Sequence, residues 1–292
     1  MSPWEGTAMP TFDTPEPILA TIGTLCGHVW INASDRIDTV VEVRPTDESE
    51  DADVKAAEQT VVEYANGELS VKTPKSKIRT LLIGPTSRSA SIDVTVSLPS
   101  GSRVDAKTWG EIRSEGRVGD STFNSAAGSI RLGQTGRLTL HTGAGDVSVA
   151  RSAGPTNVTT SAGKIWLGEI DGTAVAKTSS GDITLGEVTG DVQLKTASGD
   201  ITVERALAAV DVKTAYGSLR VGEVVRGSAV LETAFGQVEI GVAEGTAAWL
   251  DVSSKRGSVR SDLAAAAEPG PSDETVEVRA RTGYGDIVIR RS

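Results

Sequence analysis

The chain has 292 residues, a net charge of -10 and 32 glycines, and only 4% of its residues are aromatic. So few large rings argue against one thick globular core, and an acidic surface disfavours nucleic acid or anionic lipid, whose phosphates it repels. Cys26 is the single cysteine, which excludes an intrachain disulfide and a thiolate zinc site.

In chain order, MSPWEGTAMPTFDTPEP (residues 1–17) reads as a disordered arm with neither a basic n-region nor an apolar h-region. No uninterrupted apolar run approaches the roughly 20 residues that span a bilayer. The expectation is a soluble, cytoplasmic protein without membrane insertion. ILATIGTLCGHVWI (Ile18 to Ile31) has the look of one coil of short strands, and VVEVRP closes it. The acidic stretch TDESEDADVKAAEQTVVEYANG carries a short helix, after which ELSVKT and SIDVTVSLPSG return to strand. Residues 18–107 are thus expected as irregular capping coils, with the helical insert covering strand edges that would otherwise invite aggregation.

A repeat fills residues 108–260. Glycine recurs at Gly110, Gly128, Gly145, Gly163, Gly181, Gly199 and Gly217, at steps of 17 or 18 residues, with Gly236, Gly257 and Gly285 at longer steps. Two places after it stand Ile130, Val147, Ile165, Ile183, Ile201, Leu219 and Val238, and four places after it another aliphatic column. Alternation with period two marks strands with one buried face. Gly168, Gly186 and Gly222 then read as corners between strands, where a side chain would hinder bending. A threonine column three places before the repeat glycine (Thr142, Thr160, Thr178, Thr196, Thr214, Thr233, Thr282) has inward parity and is expected to pair with backbone or its own kind. LAAAAEPGPSDE, within a loop insertion at 261–274, interrupts the pattern, and residues 275–292 complete a final coil. The fold class expected is all-β: a single-stranded parallel β-solenoid over residues 18–292, with coils of about 18 residues and three short strands each.

The VSLPSG segment (Val96 to Gly101) followed by reiterated T-x-SGDI-x-LGEV coils resembles a bacterial β-strand-repeat family known as putative adhesins, from about Ile18 to Arg290. The resemblance implies this solenoid fold and no catalytic residues. It also implies kinship with accessory domains of cell-envelope stress systems, which serve in protein contacts.

Chemistry-bearing columns are sparse. Asp146, Asp182, Asp200 and Asp286 follow the repeat glycine, but calcium rolls need doubled glycines and an unbroken column, so a turn role is expected and no metal. Glu169, Glu187 and Glu223 align outward, as do Lys177, Lys195 and Lys213, without the cluster of acids, Arg and His that sugar-cleaving β-helices need. His28 and His141 lie apart and read as ordinary outward residues. No phosphate-binding or dinucleotide motif is present, so neither cofactor nor catalytic residue is expected. The aromatics say more. Trp30 and Trp166 sit between two inward residues and should point outward, and Tyr216 and Phe235 stand just before repeat glycines. These four are the candidate partner contacts. The function expected is a non-enzymatic scaffold that binds a protein or itself. A carbohydrate-binding or adhesive module and a bactofilin-like self-assembling scaffold are the alternatives.

Overall fold

The computed structural model describes residues 9–74, 90–263 and 274–292. The chain divides into two compact units, Met1–Ala144 and Gly145–Ser292. Part of the N-terminal arm and most of the loop insertion at 261–274 fall outside the described residues.

In the second unit a coil such as Gly181–Ser198 is two strands, Ile183–Val188 and Val192–Lys195, placed in two sheets. Ile183, Leu185, Val188 and Leu194 point inward and are fully buried. The next coil repeats them in parallel register, Ile183 opposite Ile201, Leu185 opposite Val203 and Leu194 opposite Val212. Like therefore stacks on like, and each buried aliphatic contributes about 1.5–3 kcal/mol before the entropy of ordering is subtracted.

The three strands per coil read from the sequence become two. Both sides of Gly186 belong to one strand, whose pairing passes from Leu185 to Glu187 and skips the glycine. Gly186 is needed for close approach, since a Cβ there would stand 2.5 Å from the Gly168 carbonyl oxygen. The repeat glycine meets two demands at once. Gly181 has φ +141°, which a side chain disfavours, and a Cβ on it would stand 2.1 Å from the Gly163 carbonyl oxygen. The threonine column is buried, and its later members donate to that same carbonyl row, Thr196 to Gly181 at 3.2 Å and Thr214 to Gly199 at 3.2 Å, while Thr142, Thr160 and Thr178 donate to the carbonyl two residues on.

The order of coils departs from the order of the chain. In one sheet Val238–Val242 is followed by Ile287–Arg291, and only then by Val259–Ser261. In the other, Gly227–Phe235 is followed by Glu274–Tyr284 and then Thr246–Arg256. The last coil of the chain is thus inserted one place before the end. Val278, Ala280, Ile287 and Ile289 are fully buried there, whereas Val259 in the outermost coil is 43% exposed.

The first unit makes the same move at its own end. Leu19–Gly23 pairs with both Glu68–Lys72 and Arg103–Thr108, and Val29–Ser34 with both Ile92–Pro99 and Ile112–Arg117. The first coil is thus interior, with Glu68–Lys72 and Ile92–Pro99 stacked outside it. The segment VVEVRP does not close that coil: Asp38–Pro45 runs antiparallel to Ile92–Pro99, with Thr11–Asp13 antiparallel beyond it. Only three residues separate Ser34 from Asp38, so the chain reverses instead of continuing the coil. The helix Asp51–Gln59 packs on Asp38–Pro45 and Ile92–Pro99, with Asp51 and Asp53 favourably placed in its first turn. Asp53 is buried and accepts the Ser91 backbone N–H at 2.7 Å, which ties the helix to the returning chain. Burial, and then the Asp53 charge, push the nearby Cys26 thiol above its usual range. Among the described residues no helix is long and apolar enough to cross a membrane.

Candidate binding surface

Strand parity places the outward residues, and the structure exposes Trp30 at 42% and Trp166 at 46%. Trp30 lies in the first unit, pairs with Arg113 and Thr95 on adjacent strands, and has His28 stacked beside it at 6.2 Å. A shallow depression there is lined by Trp30, Asn32, Thr95, Arg113 and Glu115. His141 is exposed in the same unit, far from His28 in sequence.

Tyr216 and Phe235 lie in the second unit and are brought face to face, their centroids 5.1 Å apart and their planes 3° from parallel. The inserted coil adds Tyr284 on the far face of Phe235 at 4.7 Å, and the Arg256 guanidinium lies 5.1 Å from the Tyr284 centroid. The result is a continuous outward ladder, Tyr216–Phe235–Tyr284–Arg256. Its spacing is the strand spacing, because each rung is in register with the next. Tyr216 is 60% exposed, Phe235 44% and Tyr284 45%, so these rings do not close the core. Chain order hides the ladder, since it puts Arg256 between Phe235 and Tyr284. The available signal was Ser254 and Ser261, which stand where other coils have inward Thr and an aliphatic. Polar residues in those columns mark residues 246–261 as the outermost coil.

The charged columns are engaged in the stack. Arg151 pairs with Glu169 at 3.3 Å, and Arg205 lies between Glu187 at 3.5 Å and Glu223 at 3.0 Å. Exposed pairs of this kind stabilise by about 0–1 kcal/mol. The aspartates after the repeat glycine act between coils and not within their own turn. Asp146 accepts the Lys164 N–H at 2.8 Å, Asp200 the Ser218 N–H at 2.7 Å, and Asp286 the Ser258 N–H at 2.7 Å. The Asp200 N–H, and then Lys164, hold the Asp182 carboxyl below the usual carboxylate range. The N–H and hydroxyl of Ser258 do the same for Asp286.

The repeated glycine, its threonine and its two aliphatic columns are thus the signature of a stacked-coil fold with an outward aromatic surface. The chain belongs to the Toastrack DUF4097 family, which matches residues 31–292. It is similar to a putative adhesin from Bacteroides fragilis NCTC 9343, with 13% identity over 99% of each chain and a TM-score of 0.40. A putative adhesin from Parabacteroides merdae ATCC 43184 shares 9% identity over 99% of this chain and 98% of that one, with a TM-score of 0.35. A putative lipid binding protein from Parabacteroides distasonis ATCC 8503 shares 11% over 99% and 98%, with a TM-score of 0.29. No curated protein matches the chain.

Proposed function

We propose that the chain is a non-enzymatic binding scaffold that recognises a protein partner through its outward aromatic residues. The observation that carries this is the ladder Tyr216–Phe235–Tyr284. Three rings stand in consecutive coils on the outside, where the core does not need them, and exposed rings on a rigid sheet make strong anchors at little entropic cost. The outward carboxylates Glu169, Glu187 and Glu223 each have an arginine partner, which favours a structural over an acid–base role for them. End-to-end polymerisation has less support, because the outer strands of the first unit run antiparallel to their neighbours and do not offer a further parallel coil its register. The family resemblance supports a place for this scaffold beside cell-envelope stress signalling.

The test compares parent protein with the double variant Tyr216→Ser/Tyr284→Ser. Partner capture and sedimentation follow a check that both proteins remain folded. The expected result is loss of the captured partner, or of self-association, in the variant. Equal recovery and an equal sedimentation profile would remove the ladder from the interface.

A further inference from the structure

A second aromatic of the same unit has surroundings of a different kind. Trp166 projects from the strand Ile165–Ile170 and leans along it, so that its ring carbon Cη2 comes within 3.2 Å of where a Cβ on Gly168 would stand. The lean turns one face of the indole to the strand and leaves the other to solvent, with the residue 46% exposed. Along the stack its register neighbours are Ser148 and Thr184, both too short to shield it. The floor beside it is Ala150, Gly168 and Gly186, whose backbones stack closely enough that no side chain fits on either glycine.

Charged pairs border this floor on both sides. Lys164 and Asp182 are 3.1 Å apart on one, and Arg151 and Glu169 3.3 Å apart on the other. All four are well exposed. Glu169 meets its arginine through Oε2, and a carboxylate has lone pairs enough to accept a hydroxyl as well.

From these observations we propose that Trp166 is the platform of a carbohydrate site that takes a neutral, extended oligosaccharide. A pyranose ring has one apolar face of C–H groups, whose partial positive charge suits the negative face of an indole. Its rim of hydroxyls must find donors and acceptors when water leaves, and Lys164, Arg151, Glu169 and Thr184 supply both kinds. The chain's net charge of -10 disfavours acidic glycans. The surface is open and flat, so one sugar ring gains little, and affinity has to accumulate along several rings laid across neighbouring coils. The inference rests on outward aromatics being contact residues, but it assigns Trp166 a different ligand from the ladder.

The test uses the full chain and purified oligosaccharides of β-linked glucose, β-linked N-acetylglucosamine and α-linked mannose, with sulfated glycans as the acidic comparison. Binding is read on an array and confirmed by the shift of the Trp166 indole N–H signal in NMR spectra. At least one neutral oligosaccharide should bind and shift that signal. Trp166→Ser should lose at least tenfold in affinity, Trp166→Phe should retain part of it, and Trp249→Ser, at a more exposed tryptophan elsewhere, should change nothing. No binding by the parent, a preference for sulfated glycans, or equal binding by Trp166→Ser would overturn the proposal. Loss of protein capture in the ladder variant without any glycan binding would leave the scaffold reading standing and remove this one. The converse result would do the opposite.

Discussion

In the first unit the outermost strands, Thr11–Asp13 and Val61–Ala65, run antiparallel to their neighbours. The second unit ends, among the described residues, on the parallel strands Thr246–Arg256 and Val259–Ser261. The two ends bury their cores alike. One layer in, Leu69 and Val71 beside the antiparallel strand and Val278 and Ile287 beside the parallel ones are almost fully buried, while outermost Val61 and Val259 are 46% and 43% exposed. One end stops growing by reversing the chain. The other stops by changing composition, with Ser254 and Ser261 in columns that are otherwise Thr and aliphatic. A parallel stack has no natural terminus, so direction and polarity are two separate ways to supply one.

The comparison can be broken most severely by removing residues 274–292. If the final coil is second from the end, its loss strands residues 246–261, whose Leu250 and Val252 lie in register with Val278 and Ala280. Hydrogen exchange should show protection lost throughout 246–261, with Ile165–Ile170 and Ile183–Val188 still protected. Protection retained at 246–256 would mean that this strand docks directly on Gly227–Phe235. The glycines give a smaller but sharper contrast. Gly181→Ala, in the second unit, should lower stability by about 3 kcal/mol or more, through positive φ and collision with the Gly163 carbonyl. Gly23→Ala, in the first unit, has nothing within 4 Å of the added methyl and should stay within about 0.5 kcal/mol of the parent in denaturant melts. Equal losses would show that backbone crowding does not separate these positions.

Aromatic truncations should rank by stacking. Phe235 has a ring on each face, so Phe235→Ser should cost about 1–2 kcal/mol, more than Tyr216→Ser with one such neighbour. Trp166→Ser, which stacks on no other ring among the described residues, should cost about 0.5 kcal/mol. A reversed order in thermal melts would undo the ladder's structural ranking. The smallest effect is electrostatic. The Asp182 and Asp286 carboxyls are held below their ordinary value of 3.8, so both bind protons less readily folded than unfolded. Their stabilisation is therefore complete above that value and lost as pH falls through the lower folded one. In melts between about pH 5 and pH 2 the gap between parent and Asp182→Ala should close at the acid end. A gap unchanged by pH would remove the charge from the explanation.

Much of this was legible in the sequence, for reasons particular residues make clear. Ile183, Leu185 and Gly181 recur because every coil meets the same neighbours, and the outward exposure of Trp30 and Trp166 follows from parity alone. Stacking order left only a faint mark, Ser254 and Ser261. The period itself is the same for every coil, so it does not choose between Ile287–Arg291 and Val259–Ser261 as the neighbour of Val238–Val242. The ladder was missed for that reason: Tyr284 and Arg256 are rungs only when order in space replaces order in sequence. Gly186 was expected at a corner between strands and lies within one, because crowding between coils leaves no mark in a single repeat.

The inserted final coil also bears on how the protein is made. Synthesis delivers residues 246–261 before residues 274–292 exist, so the growing chain presents a coil whose proper neighbour has not yet left the ribosome. The surface of Gly227–Phe235 waits uncovered until residues 274–284 are made, and the earlier coil is the wrong occupant within easy reach. Completion of this unit therefore waits for residues 274–291, which act as the latch.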